Sequence, residues 1–66
     1  MAGEVKRIID QIIQQRSKGN PTVAQLMETK LILRGVDPAQ FDETSEDDED
    51  MIQTVTTIAQ EMNVTL

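Results

Sequence analysis

The chain has 66 residues, a formal charge of −6, no cysteine, no histidine, and a single phenylalanine as its only aromatic residue. These counts exclude disulfide staples, thiolate nucleophiles, Cys- or His-type metal sites and the usual general base. They also leave no aromatic platform on which single-stranded nucleic acid could stack.

The length suits one domain, residues 1–66, and the apolar periodicity throughout is that of helices. Val5, Ile8, Ile9, Ile12 and Ile13 fall at i, i+3, i+4, i+7 and i+8, which predicts a helix over 4–18 with one buried stripe. Arg16 and Lys18 suit its negative end, and Gly19 supplies the stop. The isoleucine stripe has two readings: the core of a monomer, or a zipper-like seam in a homodimer.

Gly19-Asn20-Pro21-Thr22 is a turn and a new start. Asn20 as N-cap puts Pro21 at the first helical position, and Thr22 with Gln25 offers a competing capping box. Either predicts a second helix over about 22–34, with Val23, Leu26, Met27, Lys30, Leu31 and Arg34 on one stripe. Leu31-Ile32-Leu33 is apolar around most of the circumference, so this end is expected to be the most enclosed part of the fold.

Arg34-Gly35-Val36-Asp37-Pro38-Ala39-Gln40-Phe41 then makes a corner. Gly35 can end a helix in the left-handed conformation with Val36 folded back onto its last turn. Asp37 as N-cap and Pro38 at the first position restart a short helical turn over 38–41, which delivers Phe41 to close the core.

The acidic run follows, from Asp42 to Asp50. All six bases lie in residues 1–36, beside three acids, whereas residues 37–66 carry nine acids and no base. An EF-hand needs a central glycine and a glutamate in twelfth position; the run has no glycine, and its twelfth position is Gln53. Helix initiation is the better account, with Ser45 and Asp48, or Thr44 and Asp47, as the capping box. A third helix is predicted over 46–63, striped by Met51, Val55, Ile58 and Met62, with Asn63–Leu66 frayed unless Val64 packs back.

The expected fold is thus all-α: a small three-helix bundle with a short helical turn between helices 2 and 3. Its core is expected to hold Ile8, Ile9, Ile12, Val23, Leu26, Leu31, Phe41, Val55, Ile58 and Met62. Ser17 and Ser45 have no histidine to activate them, and solvated carboxylates are poor proton donors, so the chain is not expected to be an enzyme or to need a cofactor or metal. The expected function is a non-catalytic protein–protein interaction or regulatory module. Its candidate partner-binding residues are Asp42, Glu43, Glu46, Asp47, Asp48, Glu49 and Asp50, more acids than a helix start needs and suited to a basic protein partner. The alternative is a small helix-turn-helix-like DNA-binding protein using Arg16, Lys18, Lys30 and Arg34, although the nine acids oppose a phosphate backbone. No apolar run is long enough for a membrane, and Met1–Arg7 lacks the features of a signal peptide, which makes the cytoplasm the expected setting.

Overall fold

A computed structural model describes residues 3–46 and 48–66. Three α-helices follow one another: α1 (Glu4–Ser17), α2 (Pro21–Leu33) and α3 (Glu49–Glu61), with a 3₁₀ turn (Pro38–Gln40) between the last two. No strand occurs among the described residues. The fold is the all-α three-helix bundle that the periodicity predicts. α1 is its centre, packing against both α2 and α3, while the 3₁₀ turn packs on α2.

The helix starts follow from local hydrogen bonding. Asn20 wins at α2, its side chain accepting from the Thr22 amide at 3.0 Å and the Val23 amide at 3.4 Å, with Pro21 next in line. Asp37 caps the 3₁₀ turn by accepting from the Ala39 amide at 3.0 Å. At α3 the expected caps are overturned. Asp48 is the N-cap, accepting from Asp50 at 2.9 Å and Met51 at 3.4 Å, so the helix begins at Glu49 rather than residue 46. The reason lies upstream: the Thr44 amide and hydroxyl both donate to Asp42, at 2.8 and 2.7 Å, and the Ser45 hydroxyl accepts from the Asp42 amide at 2.9 Å. Both hydroxyls are occupied in that turn and unavailable to α3. The alternative partner for Thr44, Asp47, lies outside the described residues.

Two helix ends share one solution. Gly35 is left-handed (φ 87°), the Val36 amide donates to the Leu31 carbonyl at 2.8 Å, and the Gly35 amide donates to Ile32 at 2.9 Å. Asn63 does the same after α3 (φ 58°), with Val64 donating to Ala59 at 2.8 Å and Asn63 to Gln60 at 3.2 Å. Each arrangement satisfies two orphan carbonyls and folds a valine inward. The C-terminal residues are therefore not frayed. Val64 is buried, and Gln15 brackets Thr65, donating to its carbonyl at 2.6 Å and accepting from its amide at 3.1 Å.

Four of the five stripe residues of α1 are core, and Ile13 is half-buried at its edge. Val5, Ile8, Ile9 and Ile12 meet Leu31 and Val36 on one side and Val55, Ile58, Ala59 and Val64 on the other. Phe41 and Met62 are partly buried and pack against this cluster, and Val36, folded back after Gly35, is fully buried within it. The expectation for α2 needs a larger correction. Met27 and Leu31 face inward and Val23 is half-buried, but Leu26 and Ile32 are each 53% exposed and Leu33 is 80% exposed. Its C-terminal end is not the enclosed part of the fold. α1 and the 3₁₀ turn cover one side of α2, and a helix apolar nearly all round must then leave some aliphatic side chains outside.

Candidate functional site

The acidic residues do not converge on one point. Asp42 is tied up in its own turn, and the hydrogen bonds from the Thr44 hydroxyl, the Thr44 amide and Ser45 hold its carboxyl below the ordinary carboxylate value. Glu43 lies against the start of α1, where Gly3 approaches its backbone and donates to the Ser45 carbonyl at 3.0 Å. Glu46 is exposed. Asp47 lies outside the described residues. Asp48 caps α3, and Glu49 and Asp50 sit in its first turn, where negative charge meets the positive helix end. No group of three acids among the described residues is gathered in a way that could hold a metal ion.

The capping role has a measurable consequence. Asp48→Ala removes the side chain that serves two amides at the start of α3, and is expected to lower stability by about 1 kcal/mol, read from a urea titration. Ser45→Ala should leave the start of α3 where it is, because its hydroxyl serves the preceding turn.

Exposed ion pairs among the described residues join the helices or brace them. Lys6 meets Asp10 at 2.6 Å, Arg7 meets Glu4, and Arg34 meets Glu61 at 2.6 Å across from α2 to α3. The hydrogen bond from Arg34 holds the Glu61 carboxyl below its usual value, as the Thr44 bonds do for Asp42. A carboxyl with a lowered folded-state pKa stabilises the fold above its unfolded pKa, and that contribution is lost as pH falls through the folded value. Melting temperature is thus expected to drop as pH falls through and below the ordinary carboxylate range. An Asp42→Asn/Glu61→Gln variant should lose less over the same window, with thermal melts from neutral pH to about pH 2 making the comparison. Relief of repulsion within residues 46–50 is common to both proteins and cancels in the difference.

The sequence reading missed the apolar surface of α2. Leu26 and Leu33 stand two turns apart on the side facing away from the core, with Thr22, Gln25 and Thr29 lining a shallow depression beside Leu26. Ile32 turns the other way, into a groove of about 390 Å³ between α1, α2 and the 3₁₀ turn. Its apolar lining is Ile9, Ile13, Ile32, Phe41, Pro38 and Ala39. Asp10, Glu28, Asp37 and Lys6 supply the charged lining. The Lys6 ammonium is held above its ordinary pKa, chiefly by the Asp10 hydrogen bond, with Asp42 and Glu43 acting from the neighbouring loop. The signal for this surface was present in Leu31-Ile32-Leu33, whose apolar character exceeds what one buried face can use.

The turn between α1 and α2 is short, as in a helix-turn-helix, but Lys30 is the one cation within α2 and Glu28 lies two residues before it. No described helix is long and apolar enough to cross a membrane. A comparison with protein-family models, curated proteins and solved structures finds no match to this chain.

Proposed function

We propose that the chain is a non-catalytic protein-interaction module. The observation that supports this reading is the exposure of Leu26, Ile32 and Leu33 on a single helix. A chain of this length buries a smaller share of its apolar surface than a larger domain can, and each aliphatic side chain left outside forgoes about 1.5–3 kcal/mol of burial. Single exposed leucines are common, but Leu26 and Leu33 share the outward side of α2 while Ile32 lines the groove beside it, so this short helix offers apolar side chains on two sides. A cytoplasmic setting and a basic partner belong to the same reading.

Affinity capture from a cell lysate, with the native chain and a Leu26→Ser/Leu33→Ser variant of equal helicity, tests it. The native chain is expected to retain a partner that the variant releases. Identical captures would overturn the role of this surface, and retention of nothing by either protein would overturn the module. Light scattering at two concentrations separates a second copy of the chain from a foreign partner. A low-salt mobility shift with duplex DNA would favour the helix-turn-helix alternative instead.

A further inference from the structure

We propose that the groove between α1, α2 and the 3₁₀ turn receives an amphipathic helix of a partner protein whose apolar face is flanked by lysine or arginine. This rests on the interaction-module reading and names the class of partner. The shape argues for a helix. The walls are two packed helices, no sheet edge is offered among the described residues, and the lining of Ile9, Ile13, Ile32 and Phe41 is apolar. A second, shallower depression shares Asp10 and Ile13 with the groove and reaches Ser17 and Gly19. From Lys6 to Ser17 the two together run about 16 Å along α1, or roughly three turns of a docked helix.

Charge selects the partner. Three acids, Asp10, Glu28 and Asp37, face one lysine around the groove, and that lysine is already engaged by Asp10 at 2.6 Å. Asp42 and Glu43 add negative potential to the same side, since both act on the Lys6 ammonium. A helix with basic flanks would be steered in and held in register, whereas an acidic one would be repelled. A second copy of the chain is a poor occupant. α3 has Glu49, Asp50 and Glu61 but no base, α2 has Lys30 as its one cation, and Val5, Ile8, Ile9 and Ile12 of α1 are buried.

Amide-resolved NMR titration of the full chain decides the matter. One probe is a peptide of about 16 residues with leucines at i, i+3, i+4 and i+7 and lysines elsewhere; the other keeps the leucines and replaces lysine by glutamate. The lysine peptide is expected to shift Ile13, Ile32, Ala39 and Phe41 saturably, and the glutamate peptide to leave them in place. Ile32→Ser should weaken binding about tenfold, because an anchor is lost from the apolar lining. Glu28→Lys should weaken it about threefold and flatten its salt dependence. If Ile32→Ser fails to fold, Glu28→Lys, on the exposed side of α2, carries the test alone. Equal binding of the two peptides, an unchanged affinity in Glu28→Lys, or no shifts at low salt would overturn the proposal. Shifts centred on Leu26 and Leu33 would overturn it too, while leaving the interaction module standing. Failure of the lysate capture, by contrast, removes the module itself.

Discussion

Ile12→Ala is expected to remove a large share of the protein's stability. Ile12 is fully buried on α1, the helix that both others pack against, within the cluster that joins Leu31 and Val36 to Val55 and Ile58. Truncating such a side chain removes its transfer free energy and leaves a cavity that a rigid helix cannot fill, a loss of about 2–5 kcal/mol. Against this stands a total stability of roughly 3–10 kcal/mol for a chain of this length. A chain at the lower end of that range would unfold, and one at the upper end would lose up to about half its stability. Urea unfolding followed by far-UV circular dichroism gives the result directly, and Leu33→Ala provides the contrast. Leu33 is 80% exposed, so its truncation should move the midpoint by less than about 0.5 kcal/mol in free energy.

Gly3→Ala is the second large effect, and it acts through the backbone. Gly3 precedes α1 in the left-handed conformation (φ 87°), where an L side chain costs about 1–2 kcal/mol. A Cβ there would also lie 2.7 Å from the Glu43 carbonyl oxygen. That oxygen belongs to the main chain and cannot swing aside, so the loop must retreat and weaken the bond from the Gly3 amide to Ser45. A loss of about 2–4 kcal/mol is expected, with the turn around Asp42–Ser45 loosened as well. Gly35→Ala separates the two causes. Gly35 has the same φ of 87°, but nothing lies within 4 Å of its would-be Cβ, so only the conformational cost of about 1 kcal/mol remains. A difference between the two variants in thermal melts measures the collision at Glu43.

Much of the fold was legible because short-range rules decide it. The isoleucines of α1, the Asn20-Pro21 start, the Gly35-Val36 return and the Asp37-Pro38 turn each depend on residues within one helical turn. The start of α3 was not legible, since Ser45 and Thr44 match a capping box as well as Asp48 matches a simple cap. The choice turns on Asp42, which engages both hydroxyls first. The C-terminal return was half visible: Asn63-Val64 repeats the logic of Gly35-Val36 with asparagine in the glycine's place, but the clasp by Gln15 is a contact across 50 residues of chain. The orientation of α2 was hidden for a different reason. Leu26, Met27, Leu31, Ile32 and Leu33 point in nearly every direction, so periodicity cannot say which of them its neighbours will cover. The acidic residues were correctly seen as numerous, but a linear run does not reveal that it divides between a turn, a cap and a first helical turn.

The central position of α1 also implies an order of opening. Amides of α1 are shielded by helices on two sides, whereas α2 is anchored inward mainly through Met27 and Leu31 and touches α1 and the 3₁₀ turn. Deuterium should therefore enter the outer helices α2 and α3 before α1. The wall bearing Ile32 is then held less firmly than the one on α1. Under the proposed docking, such a wall would yield to helices of different girth, trading tight selectivity of fit for breadth of accommodation.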